Sequence, residues 1–133
     1  MRILIDTNVL VSALVFGGKA GALMNLLFER NHEFLVSDYV DAEFKAIPEM
    51  KWKEKAEKVY SLYHALPFVF CGSSPMQLGT LRDAKDIPVL SDAIFLNADI
   101  ILSGDKDFIE ADLEHPLVVS PSMLYDYLVS HQG

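Results

Sequence analysis

Four carboxylates stand where an alternating strand and helix chain would bring them together: Asp6, Glu43, Asp86 and Asp105. Asp6 directly follows the apolar run Arg2-Ile3-Leu4-Ile5, and Asp105 lies just beyond Ile100-Ile101-Leu102, in Ser103-Gly104-Asp105-Lys106-Asp107. Glu43 falls on the helix expected after a second strand. Asp86 opens the helix that leads into the fourth. In open parallel sheets, sites form in the crevice at the carboxyl ends of the strands. Acids crowded there repel and raise one another's pKa unless a cation sits among them. Hard oxygen ligands suit Mg²⁺ or Mn²⁺, which keep several waters and coordinate substrate phosphates.

Each acid also has a plainer role. Asp6, Asp86 and Asp105 stand where a helix N-cap is wanted, and Asp is a preferred cap. Glu43 is the sharper case. Val40, Phe44 and Ile47 form an i, i+4, i+7 stripe, which predicts Glu43 on the core side and Asp38, Asp41 and Lys45 toward solvent. An ionised, unpaired carboxylate on a core face costs several kcal/mol, and a metal ion would offset that cost. Asp83 and Asp107 add charge beside the third and fourth acids. Zinc does not fit, because His32, His64, His115 and His131 are scattered without ligand spacing. Cys71, the lone cysteine, ends an apolar strand and reads as core. Gly17-Gly18-Lys19 has alanines where a P-loop needs its first glycine and its Ser/Thr, and no G-x-G-x-x-G occurs. Phe70-Cys71-Gly72 lacks the aspartate that a response-regulator receiver carries after its third strand.

The elements that would position these acids follow from periodicity. Strands are expected at residues 2–5, 34–36, 68–71, 100–102 and 117–119. Helices are expected to about Phe16, from about Ala20 to Arg30, after a cap at Ser37 or Asp38, over 50–65 with Trp52, Ala56, Val59, Tyr60 and Tyr63 near one face, from about Ile87 to Leu96, and after Pro121. Gly17-Gly18 marks a turn and residues 72–85 a loop. Strand and helix in alternation predict an α/β fold, a sandwich around a mainly parallel sheet.

With 133 residues, 51% hydrophobic and 23% charged, the chain is expected to fold as a single domain over 1–133. No apolar run reaches the roughly 18 to 20 residues of a membrane span, and Met1-Arg2 leads into Ile3-Leu4-Ile5-Asp6 without a signal-peptide layout. A cytoplasmic protein with no membrane partner is the expectation. The net charge of −8 sets a puzzle. Nucleic-acid affinity comes from neutralising phosphates with basic residues. Either nucleic acid is not the partner, or the acids serve it by holding cations.

Asp6-Thr7-Asn8-Val9-Leu10, Glu43, Arg82-Asp83-Ala84-Lys85-Asp86 and Ala98-Asp99-Ile100-Ile101-Leu102-Ser103-Gly104-Asp105-Lys106-Asp107-Phe108 together resemble a PIN domain, and most closely the branch of toxins from type II toxin–antitoxin pairs. The resemblance spans essentially the whole chain. It implies a three-layer α/β/α sandwich on a Rossmann-like five-stranded sheet, and a Mg²⁺- or Mn²⁺-dependent endoribonuclease. Carried over residue by residue, the acids are Asp6, Glu43, Asp86 and Asp105, with Asp107 auxiliary and Asn8 and Ser103 orienting them. Ser103 replaces a commoner Thr, and Asp83 competes with Asp86 for the third role. Asp92 departs from the pattern and reads first as a surface acid, with an extra outer-sphere acid as the alternative. The cation would activate water and neutralise charge on the scissile phosphate, and a loaded acidic pocket reverses its local sign.

Arg82 and Lys85 are candidate phosphate contacts. The segment with Lys45, Lys51, Lys53, Lys55 and Lys58 is another, although it reads first as a solvated amphipathic helix with a Glu54–Lys58 pair. A toxin implies a cognate antitoxin. Val11, Leu14, Val15, Phe16, Leu23, Met24, Leu26, Leu27 and Phe28 exceed what one buried face uses. That surplus suits a groove for a partner helix, a homodimer interface, or packing of the first two helices on each other. Two other readings stay open: a non-catalytic PIN module that binds RNA or a protein with its acids as caps, and a small metal-dependent phosphohydrolase.

Overall fold

The computed structural model describes residues 1–47, 55–73, 86–110 and 116–130, with the backbone alone at 86 and 87. Its strands are β1 (Arg2–Ile5), β2 (Glu33–Ser37), β3 (Val69–Cys71), β4 (Ile100–Leu102) and β5 (Leu117–Val119). Its helices are α1 (Thr7–Val11), α2 (Gly18–Glu29), α3 (Asp38–Ala46), α4 (Ala56–Ala65), α5 (Asp86–Phe95), α6 (Lys106–Ile109) and α7 (Pro121–Ser130). The sheet order is β3-β2-β1-β4-β5, and every pairing is parallel. Parallel neighbours cannot be joined by a tight turn, so helices lie in the connections.

Alternation along β1 feeds two cores. Ile3 and Ile5 join residues of α1, α2, α3, α4 and α7 on one face. Leu4 joins Ile101 and residues of α5 and α6 on the other. Helix, sheet and helix are the three layers that the resemblance implies. On the first face, the buried Phe44 of α3 meets Tyr63 of α4 with ring centroids 4.6 Å apart, which ties those helices together. The Tyr63 hydroxyl donates to Asp41 at 2.7 Å.

Some expectations need refining. The helix expected as far as Phe16 is α1 followed by a π-helical turn, Ser12–Phe16. Gly17 and Gly18 have φ of 75° and 55°, a left-handed backbone that favours glycine, and so the chain can turn there into α2. The apolar surplus of the first two helices is mostly absorbed by packing. Leu14, Leu23, Met24 and Leu27 are buried, and Val11, Val15, Leu26 and Phe28 are half-buried. Phe16 alone of the nine is exposed, at 76%. The expected helix over 50–65 is seen as α4, and Trp52 lies outside the described residues. No single helix among the described residues is long and apolar enough to cross a membrane.

Candidate active site

The order β3-β2-β1-β4-β5 reverses direction between β1 and β4, and in such sheets this switch point is where ligands bind. The Asp6 N–H donates to the Leu102 carbonyl at 2.9 Å, which carries the pairing one residue past β1 and brings Asp6 beside Ser103. The Ser103 hydroxyl donates to Asp6 Oδ2 at 2.9 Å, and the Thr7 N–H donates to Asp6 Oδ1 at 2.8 Å. The Thr7 hydroxyl then donates to Glu43 Oε1 at 2.7 Å. On the other side, Ser103 Oγ accepts the Asp105 N–H at 3.1 Å. Two buried residues, Thr7 and Ser103, therefore tie the Asp6 carboxylate to Glu43 of α3 and to the backbone of Asp105 beyond β4.

Two of the three cap readings hold, while Asp86 is the first residue inside α5. Asp6 caps α1, and Asp105 caps α6 by accepting from the N–H groups of Asp107 and Phe108 at 2.9 and 3.4 Å. Both Asp105 cap bonds land on Oδ1. A carboxylate has about four lone-pair sites, so capping leaves each acid with capacity. Burial pushes the Asp6 carboxyl up from its ordinary range; bonds from Ser103 and Thr7 oppose this, and the charges of Glu43 and Asp105 add to it. The half-buried Tyr39 hydroxyl is also pushed up, first by burial and then by Glu43, Asp6 and Asp92, so it faces the same acids.

Sequence expectations met different outcomes here. Glu43 does not face the core. It is exposed, while Val40 and Phe44 are buried and Ile47 half-buried. Its place at the boundary of the stripe turns it toward Thr7, so the argument that a metal must offset its burial loses its premise. Asp92 is not a surface acid: it is 2% exposed and accepts from Ser73 Oγ at 3.1 Å. The bonds to these acids come from Ser103 and Thr7, whereas Asn8 is exposed. Asp107 is exposed, and its backbone serves the Asp105 cap. Asp86 is the first residue of α5. Arg82, Asp83, Lys85, Lys51, Lys53 and Glu54 lie outside the described residues. Lys45 pairs with Asp41 at 3.1 Å, as a solvated helix face would have it.

Among the described residues, no three His, Cys, Asp or Glu side chains form a group that could hold a metal ion. Burial raises the Cys71 thiol, which fits its packing against the second core rather than a nucleophile's role. His32 meets the N-terminal amine at 2.8 Å through Nδ1, beside the amino ends of β1 and β2 and not the carboxyl ends that carry the acids. Thr7 and Tyr39 were not singled out by sequence, though Thr7 lies inside the first motif and Tyr39 is four residues before Glu43.

A family model described as a PIN domain matches residues 2–107. The chain belongs to the PIN domain family. Among solved structures, this PIN domain is similar to VapBC2 from Rickettsia felis, bound to a DNA fragment from their promoter. The TM-score is 0.70 at 20% identity, covering 90% of this chain and 98% of that one. It is also similar to a PilT N-terminus domain protein from the hyperthermophilic archaeon Sulfolobus solfataricus P2, with a TM-score of 0.53 at 19% identity, covering 100% of this chain and 98% of that one. At such identities the likeness bears on the fold. No curated protein matches significantly. The three-layer architecture expected from the resemblance is thus observed directly, and the fold is shared with these solved structures.

Proposed function

We propose that this PIN domain is a Mg²⁺- or Mn²⁺-dependent endoribonuclease, the toxin of a type II toxin–antitoxin pair, acting in the cytoplasm as a single domain over 1–133. The observation that carries the reading is the coupling of Asp6, Glu43 and Asp105 at the switch point, where burial and two neighbouring acids all disfavour the Asp6 charge. Such crowding disfavours the Asp6 charge, and a cation among the acids would offset that cost. The donor chemistry, carboxylate oxygens with hydroxyl supports, fits a hard divalent ion. Asp6, Glu43, Asp86 and Asp105 would hold it, with Asp107 and Asp83 nearby in sequence. When bound, such a cation supplies Lewis acidity and charge neutralisation at a phosphodiester.

The chain's own groups do the positioning. Thr7 and Ser103 fix the acids before substrate arrives, so less reorganisation remains for the reacting state. The cations Arg82 and Lys85 are assigned to the RNA backbone, and Asn8, exposed beside Thr7, to support of the acids. An antitoxin segment would occupy the groove of about 460 Å³ between the start of α2 and the end of α4, lined by Leu14, Met24, Ala22, Leu62 and Leu66. The VapBC2 likeness supports a toxin paired with a cognate partner, and the exposed Phe16, which precedes Gly17 of that lining, offers an apolar side chain to a homodimer.

The test is RNA cleavage by pure protein with Mn²⁺, beside Asp6→Asn and Glu43→Gln. Cutting that needs Mn²⁺ and is lost in both variants supports the enzyme. No cutting, with unfolding indifferent to Mn²⁺, favours a second reading, a non-catalytic PIN module. That reading draws on the two caps, Asp6 on α1 and Asp105 on α6.

A further inference from the structure

The acids assigned to the site reach it by two routes. Asp6 and Asp105 follow strands directly, and the parallel register of β1 and β4, with Leu4 opposite Ile101, fixes them relative to each other. Glu43 and Asp86 ride on helices, α3 and α5. A helix can slide or tilt over a sheet without breaking any of its own hydrogen bonds. Its position must be set by tertiary contacts.

One such contact joins these two helices. Asp92 lies on α5, six residues after Asp86, and is 2% exposed. Its Oδ2 accepts from the Ser73 hydroxyl at 3.1 Å. Ser73 stands two residues beyond β3 and belongs to neither helix. The same Ser73 oxygen accepts the Tyr39 N–H at 2.9 Å. Tyr39 is the second residue of α3, whose first N–H groups have no partner within the helix. Ser37 already caps Val40 at 3.2 Å, so Ser73 serves a different orphan donor. A single hydroxyl thus gives its proton to α5 and takes one from α3.

A carboxylate at the α5 end of that link is chemically apt. It has no hydrogen to donate when ionised, so it fixes the direction of the Ser73 O–H and leaves the serine lone pairs for Tyr39. Burying a carboxylate for fold alone brings little, because an apolar residue of similar volume serves the core as well or better.

We propose that Asp92 is a positioning residue, which through Ser73 sets where α5 stands relative to α3 and thereby the separation of Asp86 from Glu43. The inference rests on the reading of those two acids as cation ligands. It deepens that reading by naming what holds the helix-borne half of the set in register with the strand-borne half.

The test is calorimetric titration of Mn²⁺ alone into the full chain, with RNA cleavage kinetics alongside, for wild type, Ser73→Ala, Asp92→Asn and Asp92→Leu. Loss of a partner behind a ligand typically weakens metal binding about 10-fold or more. Ser73→Ala and Asp92→Leu should therefore weaken Mn²⁺ by about that factor and lower kcat comparably, with KM for RNA unchanged. Asp92→Asn keeps an acceptor oxygen for Ser73 and should bind Mn²⁺ like wild type. If Asp92→Leu does not fold, Ser73→Ala decides, since it removes one oxygen from a half-buried loop position. Folded Ser73→Ala with wild-type Mn²⁺ affinity and kcat, whatever its melting temperature, overturns the inference and leaves the metal reading standing. Wild-type protein that takes up no Mn²⁺ overturns both, which keeps the two failures apart.

Discussion

The Thr7 hydroxyl donates to Glu43 Oε1 across 2.7 Å, while the Thr7 backbone N–H holds Asp6 Oδ1 at 2.8 Å. One residue therefore fixes two acids from different elements. Thr7 is itself 6% exposed, so its rotamer is held by packing on the side away from the acids. Glu43 is exposed and would otherwise sample several rotamers, a freedom that costs about 1.5–2 kcal/mol to remove for a long acidic side chain.

Thr7→Val should test that role most cleanly. Valine keeps the shape and the backbone bond to Asp6 but removes the hydroxyl. The expected effect on stability is small, about 1 kcal/mol, the usual net worth of one hydrogen bond. The expected effect on Mn²⁺ affinity is larger, about 10-fold. Thr7→Ser should restore the affinity. Equal affinities for wild type and the valine variant by titration calorimetry would remove Thr7 from the site.

Asp6 makes stability depend on pH with a definite sign. Burial, and then the charges of Glu43 and Asp105, raise its folded pKa above the ordinary 3.8. The folded state then binds more protons than the unfolded state. Its contribution to stability is fully present below pH 3.8 and is lost as pH rises through the raised folded value. In chelator at pH 7, Asp6→Asn should therefore melt higher than wild type, and the advantage should vanish on going down toward pH 4. A variant that melts lower by the same amount at both pH values would mean that the bond accepted from the Ser103 hydroxyl, which the amide nitrogen of asparagine does not accept, outweighs the charge.

The contrast between Glu43 and Asp92 shows what the sequence could and could not carry. Both acids sit at the same spacing from apolar neighbours: Val40, Glu43, Phe44 on α3 and Val89, Asp92, Ala93 on α5. The first is exposed and the second buried. Helical periodicity places a residue only within a wide sector, and how much of that sector is covered depends on the layers around it. α5 is buried at Val89, Leu90, Ser91 and Ala93, on more than one side. α3 presents a narrower stripe, and Glu43 lies at its edge. The strands were readable because apolar runs ending at Asp6 and Ser103 have one meaning in a parallel sheet, and their adjacency follows from strand order. The Ser73 link was not readable, since it depends on where a loop after β3 crosses two helices.

Phe44 connects this site to the core. It is fully buried beside Glu43 in sequence, with Tyr63 at 4.6 Å and Tyr60 at 5.7 Å between ring centroids. Phe44→Ala should destabilise the chain by about 3–5 kcal/mol, the usual range for a buried phenylalanine. Urea unfolding measures it. A cost under about 1 kcal/mol would mean that α3 is not anchored through this ring.

Asp105 allows cap and ligand to be separated, because the two roles need different chemistry from the same side chain. The cap needs an acceptor oxygen for the N–H groups of Asp107 and Phe108, both of which reach Oδ1. Asparagine supplies that oxygen, and is about as good a cap as aspartate. A cation ligand needs the negative charge, which asparagine lacks. Asp105→Asn should therefore melt within about 0.5 kcal/mol of wild type while losing about 100-fold in Mn²⁺-dependent cleavage. Asp105→Ala should lose the cap as well, at about 1 kcal/mol. Cleavage that survives in the asparagine variant and falls only in the alanine variant would assign Asp105 to the helix alone, and would move the reading of the whole acid set toward the non-catalytic module.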